Sequence, residues 1–514
     1  MIHLPPSDVL IVGGGLMGAV AARLLREADP TTRIAMLDAG APIGDVPGVH
    51  LHDIADPALW AQYNARVSSG IQGMYTGAEV VRDVPADIRD VPPGMFHTLA
   101  FGEDAEQMPA TAIAWNAGGM GVHWTAATPW PAGAEVFADD GRWADDLETA
   151  RRALDVRPVA IGPTPLGRRV LDVLDARFGD GAPADRRPQP MPMAVRPGPD
   201  GVLRRTSPAT VFPPLADGSD PAFALATGAL TTSLIVEDGR VAGARVRDMR
   251  DGSESEVRAA TVLVCADALR TPQLLFASGI RPDALGCYLN EHAFIASRAL
   301  LDLDRFGIAP DDLPRAREGE FCTDSLWIPQ NGPGQPFHGQ VMNSTYLDDD
   351  GRPLAHSVGV SLYTPVESRA ENRVAFSDDE RDLAGMPRMR IEFSYSDADL
   401  ALIERALAVA EETARAFGDF DPATERAHLV PGSSLHLTGT VRSGPVDDGT
   451  SVCAPDGGVW GIEGLYLAGT GVVPTPVVAN ATLTGAVTAV RAARAITARV
   501  AATHATRLDQ KEPA

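Results

Sequence analysis

Three glycines, an aspartate, a histidine and an asparagine are the residues of this 514-residue chain whose types and spacing point most directly to chemistry. Gly13, Gly15 and Gly18 form G-x-G-x-x-G directly after the apolar run Asp8-Val-Leu-Ile-Val. Such glycines permit a tight turn, close approach of a pyrophosphate and close helix packing, and the helix that follows turns free N–H groups toward the phosphates. Asp38 ends the next apolar run, where a ribose-binding carboxylate belongs. Strand, glycines, helix, second strand and acid in that order predict a dinucleotide site, FAD and NAD both being compatible with the motif alone. His436 lies in Ser433-Ser-Leu-His-Leu-Thr-Gly-Thr-Val-Arg-Ser-Gly. Imidazole exchanges protons near neutral pH, although a histidine in an apolar, glycine-flanked strand is more often structural. Asn480, placed after a second strand-and-glycine turn, Gly464-Leu-Tyr-Leu-Ala-Gly-Thr-Gly, makes His436 a candidate.

Four blocks have to position these groups: residues 7–40, 115–129, 223–280 and 435–498. The first reads as strand–glycines–helix–strand and the second as a glycine-rich loop. The third holds a hairpin-like alternation from Leu234 to Val246, a strand over 261–265 and a short helix from Thr271. The fourth is a strand, a glycine turn and a long Ala/Val-rich helix with Asn480 as its N-cap and basic residues at its far end. A helix starting at such a turn aims its positive end at an electron-rich group. A reduced flavin, negative near N1, suits it, whereas a single nicotinamide needs no second element of this kind. An ordinary buried helix has the same composition. Residues 290–431 carry alternating strand patterns and a helix near 397–417, the expected substrate domain. The nucleotide-binding domain is thus expected over 1–50, 95–130, 205–285 and 432–502, and the substrate domain with its lid over 51–94, 131–204 and 286–431. Within these, 186–214 reads as an extended proline-rich connector, 70–108 as a lid or a surface insertion, and 503–514 as a frayed tail.

Composition narrows the function class. Apolar content of 45% and charged content of 22% fit a globular chain with more than one core. A net charge of −24 disfavours nucleic-acid partners and reads as a well-solvated acidic surface. No stretch is long and apolar enough to span a membrane, and no signal peptide precedes the first strand, so a cytoplasmic enzyme is expected. The four cysteines, Cys265, Cys287, Cys322 and Cys453, have no metal-ligand spacing and read as small buried hydrophobes. No metal is expected, and nothing in the sequence sets an oligomeric state.

These segments resemble the glucose–methanol–choline (GMC) oxidoreductases, which combine an N-terminal FAD fingerprint with a C-terminal His plus His or Asn pair. The resemblance runs through most of the chain and is firmest at 8–40, 118–129, 262–280 and 435–496. Within the family it is strongest to the pyranose-oxidase branch. Gly118-Gly-Met-Gly-Val-His-Trp-Thr-Ala-Ala-Thr-Pro resembles that branch's flavin-attachment segment. Leu435-His-Leu-Thr-Gly-Thr-Val-Arg-Ser-Gly and Ala479-Asn-Ala-Thr-Leu-Thr resemble its catalytic histidine and asparagine segments, and Glu371-Asn-Arg-Val-Ala-Phe-Ser-Asp a further family segment. The fold this implies is α/β: a Rossmann-like FAD-binding domain interleaved with an α+β substrate-binding domain built on an antiparallel sheet.

Carried over, His436 would be the catalytic base and Asn480 its partner on the substrate hydroxyl. Gly119, Met120, Trp124, Thr231 and Ala266 would surround FAD together with Gly13, Gly15, Gly18 and Asp38. Gly469, Thr470 and Thr482 would do so from the C-terminal turn, and Thr125 would lie near flavin N5. His123 occupies the position that bears a covalent flavin link in many pyranose oxidases. Here it follows Gly121-Val122 in place of Ser-Thr, which favours non-covalent FAD over a link at His123. Gln340, in Pro336-Phe-His-Gly-Gln, would bind sugar hydroxyls. Bacterial relatives of this size oxidise C3 of glycosides, including C-glycosides. The implied reaction is oxidation of a secondary hydroxyl of a pyranose or glycoside, at C3 or C2, with electrons passed to O₂ or a quinone. A dehydrogenase that avoids O₂, an alcohol oxidase with a non-sugar substrate and a non-catalytic flavoprotein are the alternatives.

Overall fold

The computed structural model describes residues 1–514 except 55, 60, 62–83, 139, 199–200, 318–319, 321 and 510–514. The first part of the expected lid, 70–83, therefore lies outside the described residues. Its remainder is packed: strand Gly94–His97 pairs with Ala112–Trp115, and Phe101 and Met108 are buried.

The nucleotide half is built on a parallel sheet in the order Leu465–Leu467, Val262–Val264, Val9–Val12, Ile34–Asp38, Phe223–Thr227. Its three inner strands are wholly buried and read as unbroken apolar runs, as strands covered on both faces must. Helix Leu16–Ala28 packs against the long helix Thr482–Asp509 on one side. On the other lies an antiparallel sheet, Glu254–Arg258, Arg240–Asp248, Ala229–Glu237, whose central hairpin is the alternation read from the sequence.

The short helix after Val262–Val264 begins at Asp267, earlier than the expected Thr271. Pro272 sits inside it rather than at its start. A proline there leaves the carbonyl four residues back without its helical N–H. That carbonyl, of Ala268, accepts instead from the Thr440 hydroxyl. The Asp397–Arg415 helix forms as expected, with Ser396 and Asp399 as its capping box.

The substrate half is an antiparallel sheet in the order Arg426–His428, Ala293–Leu300, Pro353–Thr364, His338–Leu347, Asp324–Ile328, Gln189–Pro190. Alternation assigns its faces. Ile295, Val341, Val358, Val360, Leu326 and Ile328 bury one face against helices Pro165–Phe178 and Asp397–Arg415. The next residues along, Phe294, Trp327, His338, Gln340 and Tyr363, therefore face the other way, toward the nucleotide half.

Three expectations are refined. The extended connector 186–214 is packed: Met191, Met193, Ala194 and Val195 are buried in the main core, and short strands Val195–Pro197 and Leu203–Arg205 pair. The C-terminal helix continues through Thr503 to Asp509, so the expected frayed tail is helical up to there. Cys287 is partly exposed, while Cys265, Cys322 and Cys453 are buried; all four are free thiols. Among the described residues, no helix is long and apolar enough to cross a membrane and no His/Cys/Asp/Glu cluster could hold a metal.

Candidate active site

A cavity of about 300 Å³ runs along the carboxyl ends of the parallel strands, where ligands of such sheets bind. Gly13, Gly15, Asp38, Gly119, Met120, Trp124, Thr231, Ala266, Gly469, Thr470 and Thr482 all line it, with His436.

The glycines are required by geometry. Gly13 has φ 106°, and a Cβ there would stand 2.4 Å from the Cys265 carbonyl oxygen. Gly18 does not line the cavity. Its Cβ would meet the Gly13 carbonyl oxygen at 2.1 Å, so its role is to let helix and strand close up. Nothing lies within 4 Å of a Cβ built on Gly119, which leaves the cavity wall open. Asp38 accepts from the backbone N–H groups of Gly14 at 3.1 Å, Gly118 at 3.0 Å and Gly40 at 3.0 Å. It therefore pins the fingerprint turn to the 118–120 loop, and burial pushes its carboxyl up to about 6.

The residues present fit a dinucleotide. Two helices, Leu16–Ala28 and Thr482–Asp509, begin at the cavity wall with free N–H groups. The buried Thr231 hydroxyl, also in the wall, has no hydrogen-bond partner. Such an orphan is rare in a finished core and marks a place where a ligand completes the pairing.

His123 and Thr125 are placed differently from expectation. Neither lines the cavity, and Thr125 is exposed. His123 Nε2 lies 2.7 Å from Asn116 Oδ1, so that nitrogen carries the proton, and burial holds the imidazole down to about 3.

At the other end of the cavity the substrate sheet meets the C-terminal segment. Leu435, at φ 59°, turns the chain so that His436 enters the cavity. The turn is held by buried Glu291, which accepts from Gly432 N at 2.5 Å, Ser434 N at 3.2 Å and Ser434 Oγ at 2.6 Å. Burial pushes the Glu291 carboxyl up to about 7 and the His436 imidazole down to about 4, so His436 is a neutral base at ordinary pH. Asn480 Nδ2 is 3.2 Å from His436 Nε2.

Asn480 is not the cap of the last helix. The helix starts at Thr482 and the Ala481 carbonyl accepts the first helical bond, from Gly485, which frees the asparagine side chain for the site. Gln340 Nε2 donates to Asn480 Oδ1 at 2.6 Å, so this expected sugar ligand spends its N–H₂ group on orienting the asparagine.

Several residues escape sequence reasoning. His292 joins His436 at 2.9 Å, Nε2 to Nδ1. Buried His338 accepts from Trp327 Nε1 at 2.9 Å, which leaves the proton on Nε2. That nitrogen makes no hydrogen bond, although Asn480 is near enough to raise the ring's basicity against the larger, lowering effect of burial. Tyr363 stands between the rings, its centroid 4.6 Å from His292 and 5.4 Å from His338. Buried Glu135 accepts from Val478 N at 2.8 Å and Ala479 N at 2.9 Å, and so fixes the segment that carries Asn480. No local sequence signal sets these residues apart.

Comparison with known proteins agrees with this geometry. Two family models, both described as GMC oxidoreductase, match residues 204–294 and 368–489. A C-glycoside 3-oxidase from Microbacterium trichothecenolyticum is 40% identical, over 96% of this chain and 97% of that protein. The chain belongs to the GMC oxidoreductase family. It is an oxidoreductase, and FAD is the cofactor that membership implies and the cavity fits. A pyranose 2-oxidase from Emericella nidulans is 26% identical over 96% of this chain and 93% of its own length. The crystal structure of pyridoxine 4-oxidase from Mesorbium loti shares the GMC fold, with a TM-score of 0.64 at 18% identity, covering 95% of this chain and 99% of that one.

Proposed function

We propose that the chain oxidises a secondary hydroxyl of a pyranose glycoside, at C3 in preference to C2 and C-glycosides included, to the keto sugar, with O₂ reduced to H₂O₂. The observation that carries the reading is the neutral imidazole of His436 at the cavity wall, next to Asn480. The names and full-length coverage of the relatives supply the substrate class.

Oxidising an alcohol requires the O–H proton and the C–H hydride to leave. Bound FAD supplies the hydride acceptor. His436 accepts the proton at Nε2, and the C–H bond weakens as negative charge builds on the oxygen. Asn480 donates to the same oxygen, with its carbonyl side tied down by Gln340. The Nε2–H of buried His338, beside Asn480, is a further donor next to the pair, available to a neighbouring sugar hydroxyl. Buried rings of His292 and Tyr363 keep this end dry, which strengthens every one of these contacts.

His123 supports non-covalent FAD, because its Nε2 is already engaged by Asn116. The parallel-sheet and antiparallel-sheet halves are proposed as the two interleaved domains. The test is anaerobic mixing of the purified protein with glucose, an O-glycoside and a C-glycoside in turn. The reading expects the flavin band to bleach fastest with a glycoside and re-oxidation by air to yield H₂O₂. A band that no sugar bleaches removes the substrate class. Bleaching reversed by a quinone and not by air would make the protein a dehydrogenase.

A further inference from the structure

We propose that His292 is a positioning residue that locks His436 into the one tautomer able to accept the substrate's proton. The inference rests on His436 being the base, and it concerns how that base is set.

The chain of reasoning starts at a carbonyl. His292 Nδ1 lies 3.1 Å from the Val477 carbonyl oxygen. A carbonyl only accepts, so the proton of His292 is on Nδ1. Burial holds His292 neutral, so its Nε2 carries a lone pair. That lone pair faces His436 Nδ1 at 2.9 Å, which must donate. A neutral imidazole has one N–H. The Nε2 of His436, on the side of Asn480, is therefore the unprotonated nitrogen. The amides of Asn480 and Gln340 can be turned over without changing the heavy-atom positions, but the Val477 carbonyl cannot, and the tautomer is dictated from there.

With the opposite tautomer, two lone pairs would face each other across the His292–His436 contact, where the burial of His292 strengthens the repulsion. The fold invests in this contact from both sides. Glu135 fixes Val478 and Ala479, the residues next to Val477. Ring contacts with Tyr363 at 4.6 Å and with His436 at 4.9 Å fix the His292 plane. The other titratable groups facing the pair are His338 and Tyr363 from the adjoining strands, and Glu291, which touches the His436 turn through Ser434. On proton transfer the substrate O–H bond breaks and an Nε2–H bond forms on His436. The resulting imidazolium keeps its Nδ1–H on a neutral acceptor, His292.

The test compares His292→Leu with His292→Gln in the FAD-loaded enzyme. Leucine removes the acceptor. Glutamine restores one, since its Oε1 accepts and its Nε2 donates, the same polarity as the native ring. The expected result is a fall in kcat of about a hundredfold for leucine with KM changed by no more than about threefold, smaller than the roughly 10⁴-fold loss when a catalytic histidine is held in the wrong tautomer, because leucine leaves the tautomer free and does not invert it. Glutamine should recover about tenfold of that loss. In ¹⁵N-histidine NMR of the native holoenzyme, His436 should carry its proton on Nδ1. A leucine variant with native kcat, a glutamine variant no better than leucine, or a native His436 protonated on Nε2 would each overturn the proposal. The NMR arm needs no variant to fold. It also separates this idea from the reading of His436 as base, which falls instead if His436→Ala turns over normally.

Discussion

The nucleotide cradle and the histidine–asparagine pair meet at His436, which lines the cradle's cavity, and are built by opposite means. In the cradle, backbone geometry sets the wall, and one continuous stretch from Val9 to Asp38 supplies its glycine turn and its carboxylate. At the reacting end, side chains do the work, and they arrive from distant places: His292, Gln340, His436 and Asn480, braced by Glu135. At Gly13 and Gly18 the first region tolerates no added atom. The second tolerates no misplaced proton. Substitutions should therefore fail in different ways at the two ends, sterically at one and chemically at the other.

The largest effect should come from His436→Ala: kcat falls about a thousandfold while flavin content, read from the visible spectrum, stays native. Loss of the flavin as well would break the comparison, because the pair would then also be holding the cofactor. Gly13→Val should do the reverse. It forces a β-branched residue to φ 106° with Cβ against the Cys265 carbonyl, and FAD affinity should drop about a hundredfold. Apoprotein isolated with native thermal stability would confirm a local effect. Glu135→Gln sharpens the contrast. It puts an N–H₂ group among the backbone donors Ala132, Val478 and Ala479, and a fall in kcat of about tenfold with unchanged flavin content is expected.

The smallest effect is one of pH. His436 acts unprotonated, so activity is lost as pH falls through its pKa in the folded enzyme. Burial holds that value at about 4. The profile of kcat/KM should thus stay flat between neutral pH and about 5.5, well below the range of a free imidazole near 6.5. An acid limb centred at 6.5 or above would show that the site is wetter than its burial implies.

The same division decides what could be read from the sequence. The fingerprint, the second glycine turn and the period-two alternation are local, and each appeared where expected, because turn geometry and strand pleat depend on neighbours in the chain. His292, His338 and Glu135 were not legible, since nothing nearby in sequence distinguishes a buried histidine at a strand head from one in a site. Asn480 reads as a helix cap because the residue type suits a cap; the helix starting at Thr482 leaves its side chain free to meet His436. The helix at Asp267 was placed late because proline normally opens a helix, and the hydroxyl that replaces its missing partner comes from Thr440, far along the chain. The 186–214 segment reads as an extended connector because prolines exclude helix, and its composition gives no sign that Met191 and Met193 fill the core.

One consequence of the strand order concerns biosynthesis. Val9–Val12 leaves the ribosome early, but its neighbour Val262–Val264 follows some two hundred and fifty residues later, and Leu465–Leu467, at the sheet edge, later still. Pairings this far apart close slowly. The cavity wall also includes Thr482, so the prosthetic group cannot be fully enclosed until Thr482 has been synthesised. Cofactor loading is in this sense a late maturation step, and a prematurely terminated chain would expose an unfinished parallel sheet, which is a target for chaperones and proteases before it is ever a flavoprotein.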